Sequence, residues 1–562
     1  MIIGIDVGGT FTDAVLLDSV RLVASAKRPT QPDDVGAAVL AVLDDLLKHA
    51  NPTDIERLVL STTTVTNLLL NGQGAQTALI LLPGPGMPTT YYQWFDHTWC
   101  IRGAIDFRGR ELEAPDEAEI RAVLGELRRR GIKHLAICGK FSNRNPRHEL
   151  LIKASAEQYA PEISVTCGVE VAAALNYPRR IVTTYYSVKV RDHWRDFIAG
   201  FEHAIRERSL NCSLNILKAD GGTMTVQDAL NHPCEALFTG PAASVMGGMA
   251  LQPRPRNAAV IDIGGTSTDI SLLIEGQPLY ASKGIRINGR YSHVRSFAQR
   301  SLALGGDTPV DIGDDGDVIL AERRLGPARC WGGAHLTLTD IYNYRYQLAL
   351  GDASSSRWGI EQMAQAHGIS TALLCEQAEM LLQEKLKKLI GEMFDVWQQE
   401  PAYRIWEIVN QKTFRLDEII GIGAAAGMMV PALAESLGAD CVIRPLSPVA
   451  NALGAALARP TMQLHLHIDT ERGEYHADQG ASCGKISGEP RRYQMEDAEQ
   501  QARQCFAALA RERGMPYEPD EIEFTLREQF NVIRSSHQFG KIFELELQLA
   551  PALLPAYMEV TA

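Results

Sequence analysis

The sequence predicts an α/β fold of two similar lobes followed by a small α+β segment, and three observations carry that prediction. The chain opens "IIGIDVGGTFTDAVLL", an apolar strand that ends in a Gly-Gly-Thr turn and resumes as a second apolar run. From Ala259, "AVIDIGGTSTDISLL" repeats the same grammar without insertion or deletion. Asp6, Gly8, Gly9, Thr10, Thr12 and Asp13 thus return as Asp262, Gly264, Gly265, Thr266, Thr268 and Asp269. Strand and helix signals alternate around both copies, which is the pattern of a mainly parallel sheet. The 562 residues also exceed what one hydrophobic core usually serves.

In the first lobe "MIIGIDV", "TDAVLLD" and "VRLVASAK" read as strands joined by tight turns, and "DDVGAAVLAVLDDLLKHA" reads as a helix. The strands "RLVLSTT" and "TALILLP", the helix "DEAEIRAVLGELRRRG" and the strand "IKHLAICGKF" follow. A helix then starts at Pro146, where a missing N–H costs nothing. A long helix after Tyr177-Pro178 leads into the second lobe, with "LNILKADGG", "TVQDALN" and "TGPAASVMGGMAL" ahead of the second glycine turn. Residues 340–415 read as largely helical, and the apolar stripe of "LLCEQAEMLLQEKLKKLIGEMFDVWQQ" is a core face. After Pro460 the polar, Gly-rich "TERGEYHADQGASCGKISGEP" reads as a boundary or loop, and a helix and the alternating "FELELQL" close the chain. The expected division is 1–172 for the first lobe, 173–458 for the second with its helical insertion, and 459–562 for the C-terminal segment.

Composition narrows the function. With 45% hydrophobic and 22% charged residues the chain is ordinary for a soluble protein, and its net charge of −13 repels nucleic acid and anionic membranes. The ten cysteines stand singly, without the spacing of a zinc finger or an iron–sulfur cluster. The start Met1-Ile2-Ile3 has no secretory character, so reduced thiols in a cytoplasm are expected. No uncharged apolar run reaches the roughly 20 residues of a membrane helix.

A phosphate held by so acidic a chain must be held locally. Glycines at a strand end admit a phosphate to the backbone, whose free N–H groups form an anion nest, and the hydroxyls of Thr10 and Thr12 are further donors. Asp6 and Asp262 stand where they can hold Mg2+ through water, since that ion prefers oxygen ligands and keeps part of its hydration shell. A capping Asp beside a glycine turn explains one such motif but not two. Asp13 and Asp269 follow the turns, in capping or catalytic roles. A third element, "EIIGIGAAAGMMVPALAESLGADCVIRP", gives a strand, a small-residue turn at Gly421, Gly423 and Ala424, and a helix. It satisfies G-x-G-x-x-A, yet the next strand lacks the acid that would hold a ribose, so a dinucleotide site is rejected. No Walker A loop is present. The three elements together fit the two-lobed ATPase fold (ribonuclease H-like) of actin, heat-shock chaperones and sugar kinases, with ATP between the lobes and adenosine on the third loop.

Within that superfamily the chain resembles the A-type, ATP-using subunits of the hydantoinase/oxoprolinase family. The resemblance rests on ordered blocks from residue 2 to about 427: "GIDVGGTFTDAVL", "STTTVTNLLLNGQGAQTALI", "FSNRNPRHEL", "KADGGTMTVQDALNHPCEALFTGPAASVMGG", "DIGGTSTDISL", "LGPARCWGGAHLTLTDIYNYRYQLALGD" and "GIGAAAG". It implies ATP-driven phosphorylation of an oxygen on a small cyclic amide or related carbonyl compound, followed by hydrolysis, or of an enolate that is then carboxylated. It implies a B-type partner subunit and an oligomeric assembly. Asp340, in "LTLTDI", matches an aspartate of the family and is expected at the substrate. Thr63, Thr64 and Asn67, between a strand end and a helix start, suit an anion or substrate carbonyl, or a plain N-cap. Gly240 opens a small-residue helix that suits close approach to the nucleotide or tight helix packing.

The segment "LALGGDTPVDIGDDGD" has fewer glycines than the family pattern, and the C-terminal region matches poorly. Hydrolysis of a cyclic amide is the reading carried forward. Ketone carboxylation, a small-molecule kinase and a non-catalytic, ATP-switched chaperone-like protein stand as alternatives.

Overall fold

The computed structural model describes residues 1–19, 21–30, 35–172, 174–399, 415–477, 483–534 and 537–554. Its centre is a pair of equivalent sheets, each built on a hairpin that the sequence repeats. In the first, Ile2–Val7 pairs antiparallel with Phe11–Asp18 and parallel with Arg57–Thr62. In the second, Ala258–Ile263 pairs antiparallel with Thr268–Ile274 and parallel with Glu418–Ile422. The registers match to the residue: Asp6 lies opposite Asp13, and Asp262 opposite Asp269. This is the two-lobed, actin-like α/β fold that the paired motifs predict.

The first sheet runs in the order Thr223–Thr225, Ser213–Leu217, Arg57–Thr62, Ile2–Val7, Phe11–Asp18, Arg21–Pro29. The lobe boundary expected at residue 172 is therefore misplaced. Ser213–Leu217 finds its parallel partner in Arg57–Thr62, and the helix Tyr177–Glu207 buries Val182, Val190, Trp194 and Ile198 in the first lobe's core with Ile3 and Ile5. Composition does not change there, so nothing local marks which sheet a strand will join. Within the first lobe, Ser164–Cys167, His134–Gly139, Thr77–Leu82 and Thr98–Cys100 form a separate parallel sheet.

Two helices of small residues, Thr239–Leu251 and Ala450–Leu457, lie between the main sheets and bind the lobes into one core. Backbone contact demands glycine here. A Cβ on Gly247 would stand 2.2 Å from the Ala450 carbonyl oxygen, and one on Gly4 2.2 Å from that of Ala452. Helices Leu338–Arg345, Ala353–His367 and Thr371–Gln398 pack on the second sheet, as their apolar spacing predicts; the rest of the expected helical region, to residue 414, lies outside the described residues.

The C-terminal segment is a five-stranded antiparallel sheet covered by the helix Met495–Glu512. The Gly-rich run read as a boundary belongs inside it, supplying the strands Glu474–Ala477 and Cys483–Lys485, with 478–482 outside the described residues. This segment docks on the first lobe through buried ion pairs of Arg108 with Asp469 (2.8 Å) and Arg144 with Glu544. Among the described residues no helix is long and apolar enough to cross a membrane.

Candidate active site

The two glycine turns close in the same way. Gly8 N–H donates to the Phe11 carbonyl at 3.0 Å, and Gly264 N–H to that of Ser267 at 3.0 Å. Each turn spends its first N–H on itself, and the next two, of Gly9 and Thr10 or of Gly265 and Thr266, meet no acceptor among the described residues. Free N–H groups in a row are what an anion needs. No atom lies within 4 Å of a Cβ built on Gly9 or Gly240, so space is open at both. A Cβ on Gly265 would reach Asp307 Oδ2 at 2.8 Å, and the second turn is further braced by N–H donations from Gly306 to Gly264 O and from Asp307 to Gly265 O.

Two expected donors are corrected. Thr12 is buried with its hydroxyl 2.9 Å from that of Thr30, and Thr268 is buried with its hydroxyl donating to Leu304 O at 2.7 Å. Alternation along the strand turns both inward, so they brace the hairpins and do not face an anion.

Four carboxylates surround the turns in unlike settings. Asp6 is 4% exposed and accepts from Ser61 Oγ at 2.6 Å. Burial, reinforced by the charges of Asp13 and Asp262, pushes its carboxyl up to about 7 against the pull of Ser61 and Asn451. Asp262 accepts from Ser244 Oγ at 2.7 Å and Asn451 Nδ2 at 3.0 Å. Asn451 therefore faces acids of both lobes. Asp6 and Asp262 couple through space, and a cation between them would reverse the like-charge penalty. Among the described residues no group of three or more His, Cys, Asp or Glu forms a metal cage. Two carboxylates alone fit an ion that keeps several waters, as Mg2+ does.

The other pair differs. Asp13, expected as catalytic, is held by Lys27 at 2.7 Å and serves as a brace in an ion pair at the rim, although burial still raises its carboxyl. Asp269 has no cation within ion-pair distance among the described residues, and burial raises it to about 6 despite a hydrogen bond from Ser301. It lines a cavity of about 710 Å³ with Phe238, Pro241 and Phe297.

The third loop presses on this centre. Gly423 has φ +86°, and a Cβ there would stand 2.4 Å from Asp262 Oδ1. Ala424 is exposed at the turn beside it. Gly421 is corrected: it is buried in its strand, and a Cβ would strike Val430 and Ile443, so it serves packing.

Thr63 stands at the N-cap position of the helix Thr64–Leu70, without a side-chain capping hydrogen bond, at the end of the strand next to Asp6. The Thr64 hydroxyl pairs with that of Thr62 at 2.8 Å, and exposed Asn67 donates to Thr63 Oγ1 at 3.3 Å. These residues adjoin the cleft through Ser61 and Thr239. Asp340 does not. It is fully buried, and its carboxylate accepts from the N–H groups of Arg329, Cys330 and Thr337 and the hydroxyls of Thr337 and Ser356, at 2.6–3.1 Å. Its oxygens are saturated, so it is a structural cap and not a substrate contact.

Sequence reasoning missed Ser61, Ser244 and Asn451. Asn451 leaves the clearest trace, as the lone polar side chain in the small-residue helix "ANALGAAL".

Fold and site together define an actin-like, two-lobed protein with two matched glycine turns, each carrying free backbone N–H groups and a carboxylate beside it. The chain belongs to the hydantoinase/oxoprolinase family: the family's N-terminal region matches residues 2–160 and its hydantoinase/oxoprolinase region matches 180–464. It is 26% identical over 492 residues to the caprolactamase subunit alpha of Pseudomonas jessenii, covering 79% of this chain and 68% of that one. It is 24% identical to the acetophenone carboxylase gamma subunit of Aromatoleum aromaticum, covering 69% of this chain and 60% of that one. Its fold matches the crystal structure of the ATP-dependent caprolactamase from P. jessenii with a TM-score of 0.70 at 21% identity, over 97% of this chain and 87% of that one.

Proposed function

We propose that this chain is the ATP-binding subunit of an ATP-dependent hydrolase of cyclic amides such as hydantoins, oxoproline or lactams. The observation that carries the reading is the matched pair of turns, each with free N–H groups and a carboxylate, Asp6 or Asp262, coupled across one cleft. In it, the N–H groups of Gly9, Thr10, Gly265 and Thr266 receive the β- and γ-phosphates, and Gly240 leaves room at the start of its helix. Ala424 and Gly423 form the wall for adenosine. Asp6 and Asp262, oriented by Ser61, Ser244 and Asn451, hold Mg2+ through water. Bound there, the ion neutralises charge on the transferring phosphoryl group. Asp269 faces the acceptor and takes the amide N–H proton as the carbonyl oxygen attacks the γ-phosphorus and ADP leaves, and Thr63, Thr64 and Asn67 contact the acceptor from the first lobe.

A B-type subunit, in an oligomeric cytoplasmic complex, completes the reaction, with water attacking the phosphorylated amide carbon. The relatives favour two chemistries, since one is named a caprolactamase subunit and the other a carboxylase subunit. Ketone carboxylation is therefore the second reading. Phosphate release by the complex with a B-type partner separates them, measured over hydantoins, oxoproline, lactams and small ketones with and without bicarbonate. Release with a cyclic amide alone supports hydrolysis, and release that needs both ketone and bicarbonate overturns it. A stable phosphorylated product would mark a kinase, and turnover stimulated only by unfolded peptide a chaperone.

A further inference from the structure

The cavity beside Asp269 carries a charge pattern that the phosphate cleft does not use. Between Glu275 and Asp307 this acidic chain has no acidic residue but five cations: Lys283, Arg286, Arg290, Arg295 and Arg300. Three of them, Lys283, Arg286 and Arg300, line the cavity, whose single carboxylate among the described residues is Asp269. None of the three has a carboxylate within ion-pair distance among the described residues. Arg286 spends one N–H on the Gly289 carbonyl at 3.1 Å.

Two of them are not dispersed by mutual repulsion. Lys283 and Arg286 both sit over the ring of Tyr291, at 5.9 and 5.1 Å from its centroid, and Arg179 approaches the same ring at 5.9 Å. A ring face offsets part of the repulsion among cations, but an anion offsets far more. The lining also includes the apolar side chains of Leu279, Phe297, Met393 and Trp397. A small organic molecule fits such a chamber, with a flat body on the apolar side chains and one anionic group at the cations.

We infer that this cavity is the acceptor site and that Lys283, Arg286 and Arg300 select an acceptor bearing a carboxylate, whose reacting carbonyl points towards Asp269. This rests on the reading that the glycine turns hold the phosphoryl donor, because Asp269 joins the cavity to that centre. The anion held could instead be the donor's own phosphates, and the experiment separates the two.

The full-length chain, saturated with Mg2+ and the non-hydrolysable ATP analogue AMPPNP, is titrated calorimetrically with two matched pairs: 5-oxoproline against 2-pyrrolidinone, and hydantoin-5-acetate against hydantoin. The carboxylated member of each pair binds about tenfold tighter or better, a difference of about 1.4 kcal/mol. In the Lys283→Ala, Arg286→Ala, Arg300→Ala triple variant, whose changed side chains are exposed, that preference disappears while AMPPNP affinity stays unchanged. Equal binding within the pairs, or a preference that survives in the triple variant, overturns the inference. Loss of AMPPNP affinity in the triple variant also overturns it, by giving the cations to the donor. Failure of the unsubstituted chain to bind AMPPNP overturns the ATP reading itself, whereas AMPPNP binding without carboxylate preference overturns only this inference.

Discussion

Asp13 and Asp269 occupy the same register position in the two lobes, yet Asp13 is paired with Lys27 at 2.7 Å while Asp269 opens on a cavity without an ion-pair partner among the described residues. The duplicated motif has diverged. One copy neutralises its acid and the other keeps it available, poised at about 6 by burial.

Asp269→Asn is expected to lower phosphate release by about 10²-fold or more, the range for a lost general base, and to leave ATP-analogue affinity nearly unchanged. Asp13→Asn should lose far less. A base acts when deprotonated, so kcat/KM of the complex should fall as pH drops through about 6. In a pH–rate profile Asp269→Asn removes that limb.

Asp6 gives a stability test of opposite appearance. Its folded-state carboxyl is raised from 3.8 to about 7, so the fold favours the protonated form; that stabilisation is complete below about 4 and is lost as pH rises through about 7. Asp6→Asn does not titrate. Without nucleotide it should be more stable than the parent at pH 8 by roughly 2–4 kcal/mol, with the gap closing towards pH 4. Urea unfolding at the two pH values measures it. A gap that grows towards low pH would contradict the account.

Glycine substitutions should sort by environment. Gly9→Ala meets open space and should leave the urea midpoint unchanged. Gly423→Ala combines φ +86° with a methyl 2.4 Å from Asp262 Oδ1, and should cost about 1–3 kcal/mol from backbone strain alone.

Asp340→Ala strands four buried donors and one partly buried one and should destabilise by about 3 kcal/mol or more. Its nucleotide affinity, measured below the unfolding transition, should remain that of the parent. A stable variant with impaired substrate binding would return Asp340 to the cleft.

Both hairpins were legible in the sequence because two short apolar runs joined by Asp-x-Gly-Gly-Thr specify strand, turn and strand locally. The sheet that Ser213–Leu217 joins was not legible, since its pairing with a strand 156 residues earlier, Ser213 opposite Arg57, leaves no local mark. Asp340 was misassigned although its role was written beside it: Thr337 three residues ahead is a capping-box spacing. Thr12 and Thr268 belong to the strand and not to the turn, and the strand's alternation buries them. The cations from Lys283 to Arg300 stood in the sequence as an acid-free run, and only folding shows which of them share a cavity.

The account stands most directly on one titration, AMPPNP with Mg2+ into the full chain, Gly9→Val and Gly265→Val. Gly9→Val fills open space; Gly265→Val also requires the Asp307 side chain to move. The account predicts one nucleotide bound per unsubstituted chain and a loss of affinity of about 100-fold or more in each variant, because either turn alone leaves the phosphates half held. Unchanged affinity in both variants would contradict it.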